Sequence, residues 1–259
     1  MENEELLSLF RDLKEKDLRK QRIVIGESRF VAERMIGAGL KIIGGIGTGD
    51  NTRILEQLGE GRFPVLELSR EEISTLAGYP FHRGMLVAAE EPDKKTISGY
   101  LEKRKGNDLV VFMPDPNIPE NIGSVCRSAA ALGAGAVILP GKGPYPFSRR
   151  VLRASMGTIL TLPVLTLDDD IEKDIGLLKT AGYCFCGTSL NTRSVPLEKF
   201  KTPEKAVLLL GNEAFGLDPE WENTCDHLIT LEMKNSCDSL NVAAAAGIFL
   251  YWMTLAQLR

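Results

Sequence analysis

The chain has 259 residues, 44% hydrophobic and 25% charged, with a formal net charge of −4. That balance excludes fibrous and disordered classes and leaves room for one large or two modest domains. No uncharged apolar run reaches the roughly 18 residues of a membrane helix, and the opening MENEELLSLF lacks the basic-then-apolar order of a signal peptide, so a cytoplasmic protein with no membrane partner is expected.

In chain order, Leu6, Phe10 and Leu13 are spaced for one helix face, followed by Lys14, Lys16, Arg19, Lys20 and Arg22. Short strands are predicted over 23–25, 41–46, 63–68 and 84–89. Helices are expected between them: one capped by Ser28, one by Asp50, and one opened by Ser69-Arg70-Glu71-Glu72, which has capping-box spacing. This makes a small α/β domain over 1–92. Residues 93–107 turn polar and read as a linker with at most one edge strand.

From 108 to 259 a second series begins. Strands are expected over 109–113, 136–139, 160–165, 183–186, 206–210 and 227–231. Helices are expected over 122–132, 148–154 and 171–181, and a long apolar helix from about 239 to 258. Continuous apolar strands alternating with helices imply a mainly parallel sheet covered on both faces. The last helix has more apolar faces than one sheet covers, which points to a second subunit.

Three segments of this half do not read as plain packing. Asn121-Ile122-Gly123 stands where a strand hands over to a helix, with Arg127 following among small residues. Gly211-Asn212-Glu213 follows an apolar strand, the position at which doubly wound sheets bind ligands. Ser239-Leu240-Asn241 opens the Ala-rich last helix, where a buried amide needs partners. Other motifs fail. The glycines of 44–49 lack the dinucleotide spacing, no phosphate loop or hydrolase elbow occurs, and His82 and His227 belong to no triad. The cysteines Cys126, Cys184, Cys186, Cys225 and Cys237 are odd in number without a CxxC pair, so reduced thiols and no metal site are expected.

Taken in order, PENIGSVCRSAAALGAGAVIL, RASMGTILTLPV, LLLGNEAFGL and SLNVAAAAGIFLY resemble the SpoU (TrmH-type) branch of the SPOUT RNA methyltransferase superfamily. RKQRIVIGESRFVAERMIGAG and RGMLVAA resemble, more loosely, the L30e-like substrate-binding domain often joined to it. The resemblance implies an α/β fold whose C-terminal segment is tied in a trefoil knot, a rare exception to unknotted topology. It also implies a homodimer and methyl transfer from S-adenosyl-L-methionine to a ribose 2′-hydroxyl of RNA, with rRNA ahead of tRNA. Carried over residue by residue, it assigns the catalytic positions to Asn121, Arg127, Glu213, Ser239 and Asn241, and donor binding to Gly211, Leu231, Met233 and Leu240. The family's usual Ile-Pro-Met is Leu231-Glu232-Met233 here, and Ser128 replaces the usual Thr. A second basic patch, Lys142, Arg149, Arg150 and Arg153, is expected beside the catalytic segment as an RNA contact. The rival readings are a non-catalytic RNA-binding or ribosome-assembly protein on this fold, and a nucleotide-binding oxidoreductase, which the missing phosphate fingerprint disfavours.

Overall fold

Leu6, Phe10 and Leu13 are all buried, as their spacing requires, but not by one helix. In the computed structural model, which describes residues 2–167, 170–212, 215–235 and 238–257, α1 (Asn3–Ser8) stops early and α2 (Glu15–Gln21) starts afresh. Between them Asp12 takes a φ of 46°, a left-handed turn that a right-handed helix cannot run through.

There follow β1 (Ile23–Glu27), α3 (Arg29–Gly37), β2 (Ile42–Gly47), α4 (Asp50–Gly59), β3 (Val65–Glu67), α5 (Arg70–Ala77) and β4 (Met85–Glu90). The strands form one sheet in the order β1-β4-β2-β3, with β4 antiparallel to both neighbours and β2 parallel to β3. The capping box of α5 is complete: Ser69 N–H donates to Glu72 Oε2 at 2.7 Å and Glu72 N–H to Ser69 Oγ at 3.2 Å. Ser28 and Asp50 make no such side-chain cap, Asp50 lying inside the first turn behind Gly49. The glycines of β2 serve packing. A Cβ at Gly45 would stand 2.4 Å from Leu55, and one at Gly47 would stand 2.8 Å from the Thr52 nitrogen, so bare backbone lets α4 lie close on the strand.

The chain continues through α6 (Ile97–Leu101), β5 (Asp108–Phe112), α7 (Pro119–Ala131), β6 (Ala136–Leu139), α8 (Arg149–Ala154), β7 (Val164–Thr166), α9 (Ile171–Thr180) and β8 (Cys184–Thr188). It ends with β9 (Val195–Pro196), β10 (Lys205–Leu209), α10 (Pro219–Thr224), β11 (His227–Thr230) and α11 (Val242–Gln257). Seven strands form one sheet, β7-β6-β5-β10-β8-β11-β9, and every pairing is parallel. Val110, Phe112, Ile138, Phe185, Val207 and Leu209 on these strands share one buried core with Leu178 of α9. No helix among the described residues is long and apolar enough to cross a membrane.

Contacts divide the chain into two compact units, Met1–Asp93 with Phe147–Thr161, and Lys94–Pro146 with Leu162–Arg259. This corrects three expectations. The segment read as a linker carries α6, whose Ile97 and Tyr100 are buried in the core of the second unit. The strand read over 160–165 begins only at Val164, because Thr158–Thr161 is a 3-10 turn. The run 147–161, read as part of the second domain, belongs with the first, where Arg149 is drawn into the fold. Its Nη1 donates to Glu27 Oε1 at 3.2 Å, its Nη2 to the Leu13 carbonyl at 3.0 Å, and its guanidinium lies 4.7 Å from the Tyr79 ring centroid. The Tyr79 hydroxyl also donates to Glu27, at 2.9 Å. Burial, then the Glu27 charge, push that hydroxyl's pKa well above its ordinary value. Of the second basic patch, Lys142 is an exposed residue of the second unit, Arg150 and Arg153 are exposed residues of the first, and Arg149 is a half-buried structural pin of the first. The patch on and beside α2 is different, since Lys14, Lys16, Arg19, Lys20 and Arg22 are all exposed.

Candidate active site

Parallel strands deliver their carboxyl ends to one edge of the sheet, and loops there can combine residues far apart in sequence. At the ends of β8, β10 and β11 such loops enclose a cavity of about 570 Å³. Its walls include Gly211, Leu231, Met233, Ser239 and Leu240. All four expected donor-binding positions and one expected catalytic position thus come together, from three separate segments. Leu231 and Met233 line it and Glu232 does not, the alternation that extended chain imposes. Thr188 to Asn191, Leu217, Ile229 and Phe249 complete much of the wall.

The loop after β10 is built around Asn212. Its backbone exchanges hydrogen bonds with Gly216 (2.8 and 3.0 Å), its Oδ1 accepts from Phe215 N–H at 3.0 Å, and its Nδ2 donates to Asp115 Oδ2 at 2.8 Å. Gly211 is a steric necessity, because a Cβ there would lie 2.3 Å from the Gly216 carbonyl carbon. Phe215 stands on this turn 90% exposed. Glu213, expected to be catalytic, lies outside the described residues.

The first and third segments meet directly. Asn241 Nδ2 donates to Asn121 Oδ1 at 3.1 Å, joining the start of α11 to the start of α7. Asn241 is also the true helix cap. Its Oδ1 accepts from Ala243 N–H at 2.9 Å and its carbonyl from Ala245 N–H at 3.0 Å, so α11 starts after Asn241 rather than at Ser239. Asn121 is buried, whereas Asn241, expected to be the buried amide, is exposed, and the two side chains partner each other.

Arg127 departs from its expected place. Expected among the catalytic residues, it does not line the cavity and lies exposed on α7. Helix geometry explains this: six residues from Asn121 turn the side chain by about 120° from it. Arg127 forms no hydrogen bond or ion pair with any described residue. Its neighbourhood is informative. α7 packs on α11, with Gly247 of α11 close to Ser128 of α7, and α11 exposes Ile248 (45%), Tyr251 (58%) and Trp252 (38%).

Several residues at the cavity escaped the sequence reading. Ser189 and Asn191 follow the end of β8, where ligand loops are to be sought, so a positional signal existed. Glu222 sits on α10, a six-residue helix that no periodicity announced. Among the described residues no grouping of His, Cys, Asp and Glu could hold a metal ion. Cys126 and Cys225 are poor nucleophiles, since burial pushes both thiol pKa values up to about 12.

The sequence profile of the SpoU rRNA Methylase family matches residues 108–251. The chain is 30% identical over 209 residues to the 23S rRNA (guanosine-2′-O-)-methyltransferase RlmB of Acinetobacter baylyi, covering 77% of this chain and 81% of that one. Its fold matches that of the AdoMet-bound rRNA methyltransferase from Sinorhizobium meliloti (TM-score 0.82, 24% identity, 97% and 94% of the two chains). It also matches the AdoMet complex of the SpoU methyltransferase AviRb from Streptomyces viridochromogenes (TM-score 0.83, 20% identity, 99% of both chains).

Proposed function

The chain belongs to the SpoU rRNA methylase family, and from that premise we propose that it transfers a methyl group from S-adenosyl-L-methionine to a ribose 2′-hydroxyl of RNA, with rRNA the substrate ahead of tRNA. The observation that carries the reading is the cavity, in which Gly211, Leu231, Met233, Ser239 and Leu240 converge at the carboxyl ends of three parallel strands. Its size falls in the range of roughly 300–1,000 Å³ typical of small-molecule sites. Leu231, Met233 and Leu240 offer an apolar wall to an adenine, and the backbone of the 210–212 loop offers polar contacts beside it. The trefoil knot belongs to the same proposal, as does the L30e-like role of the first unit. The choice of rRNA draws support from the relative named for 23S rRNA.

The bound donor supplies an electrophilic methyl group on its sulfonium. The protein's task is to hold the ribose hydroxyl in line with it, and positioning of this kind removes a large part of such a barrier. Arg127 is not the base, since a guanidinium stays protonated. It fixes a phosphate or the ribose and stabilises the developing alkoxide, while the proton passes to water or a phosphate oxygen. Its exposure on α7, beside the apolar face of α11, supports a homodimer in which each Arg127 serves the partner subunit's cavity. Ser239, at the cavity, and the Asn121–Asn241 pair orient the reacting groups.

The test uses purified protein, methyl-labelled donor, and separate rRNA and tRNA pools, digested to nucleosides and read by mass spectrometry. The expected result is label on a ribose of rRNA, with an alkali-resistant phosphodiester on its 3′ side. Label on a base, or none on any RNA, overturns the proposal, and label on tRNA alone overturns the substrate preference.

A further inference from the structure

Glu222 presents a carboxylate to the cavity, and none of the sequence motifs accounts for it. Two neutral donors from the loop after β8 hold it: the Ser189 hydroxyl donates to Oε1, and Asn191 Nδ2 donates to Oε2 at 3.2 Å. The donors are themselves fixed. Ser189 N–H donates to the Ile229 carbonyl (3.0 Å), Ser189 Oγ accepts from Asn191 N–H (3.0 Å), and Asn191 Oδ1 accepts from Arg193 N–H (3.1 Å), which leaves the amide nitrogen facing Glu222. On the helix side, Trp221 packs edge-on against Phe112 of β5, with centroids 4.9 Å apart, so α10 cannot slide.

An ionised carboxylate accepts about four hydrogen bonds, and Glu222 has two from the protein. No cation among the described residues pairs with it. The cavity wall therefore holds an immobilised anion with one free acceptor site on each oxygen. A pair of neighbouring hydroxyls is the ligand group that matches two such acceptors, and carboxylates read ribose hydroxyls in this way at the strand ends of other parallel sheets.

Resting on the proposed donor, we infer that Glu222 is the specificity residue that accepts the 2′- and 3′-hydroxyls of the donor's adenosyl ribose. Ser189 and Asn191 act through it as positioning residues. The site then discriminates against deoxyribose nucleosides, because a ligand without the hydroxyls covers the carboxylate but leaves the second acceptor site on each oxygen unfilled.

Calorimetry tests this with wild type and Glu222→Gln, using S-adenosylhomocysteine, its 2′,3′-dideoxy analogue, and 5′-methylthioadenosine, which keeps the diol but lacks the amino-acid end. The expected penalty of Glu222→Gln is about tenfold or more in affinity for S-adenosylhomocysteine and methylthioadenosine alike, and less than about twofold for the dideoxy analogue, in keeping with loss of a charge-assisted hydrogen bond. A penalty equal for all three ligands makes Glu222 a mere loop tether and overturns the inference. A penalty that persists with the dideoxy analogue but vanishes with methylthioadenosine assigns the carboxylate to the ammonium group and also overturns it, as does no penalty at all. Failure of wild type to bind S-adenosylhomocysteine is a different outcome, which removes the proposed donor and the inference with it. Ser189→Ala should reproduce the ligand pattern of Glu222→Gln in weaker form.

Discussion

The two ends of the seven-stranded sheet use polar residues in opposite ways. At the amino end of β5, Asp108 is 3% exposed and every contact it makes is internal. Tyr100 donates to its Oδ2 at 2.6 Å, Tyr183 donates to the same oxygen, and Arg104 pairs with Oδ1. Gly135 leaves room for this group, since a Cβ there would collide with Asp108, Tyr100 and Arg104 alike. At the carboxyl end, Glu222 and Ser239 border a cavity. A polar cluster with its own charges paired holds a fold together. A carboxylate with acceptor sites left over is suited to a ligand.

That contrast predicts a separation of effects. Asp108→Ala leaves two buried tyrosine hydroxyls and an arginine without their acceptor, and should cost about 3–5 kcal/mol of stability in urea unfolding, while the folded fraction binds donor normally. A stable variant, or one that folds but no longer binds donor, would break the division between the ends. Asn241 should divide its two roles next. Asn241→Ala removes the cap of α11, at about 1 kcal/mol, and also removes the bond to Asn121. Asn241→Asp keeps the capping oxygen but turns an acceptor toward Asn121 Oδ1, so it should unfold near the wild-type midpoint and lose methyl transfer. Equal stability losses in the two variants would contradict the cap.

The smallest effect is on alkaline stability. Burial and the Asp108 contact raise the Tyr100 and Tyr183 pKa values well above their ordinary 10.0. In the unfolded chain these hydroxyls ionise from about pH 10, while in the folded chain they stay protonated. Their contribution is therefore complete below that pH and is lost as pH rises through and beyond it. The urea midpoint of wild type should fall above about pH 10, and that of Tyr183→Phe should fall less steeply. Parallel curves would contradict the raised values.

How much of this was legible beforehand follows the range of the signals. Ser69 and Glu72 announce a helix start because both partners lie within one turn. Apolar strands such as Val207 to Leu209 announce a parallel sheet because both faces are covered. The motif resemblance names Gly211, Leu231, Met233, Ser239 and Leu240, and all five line one cavity. What escaped depends on distant partners. Nothing near Arg149 says that its guanidinium will meet Glu27, and nothing in 93–107 says that Tyr100 will reach Tyr183's acceptor. The two-residue β9 and the six-residue α10 are too short for periodicity, and Glu222 was lost with the latter. The outward face of Arg127 was accessible from helix geometry alone, since six residues do not return to the same side.

The proposed chemistry rests most heavily on that arginine, exposed on its own subunit and assigned to the partner's cavity. The decisive measurement is single-turnover methylation by Arg127→Ala, with donor affinity measured by calorimetry on the same preparation. A group that acts only as charge develops affects turnover and not ground-state binding, so the variant should bind donor within about twofold of wild type and lose transfer by about 100-fold or more. Mixing it with a donor-binding variant such as Gly211→Trp should restore part of the activity, because mixed dimers pair one intact cavity with one intact arginine. Near-normal turnover by Arg127→Ala alone would contradict the account.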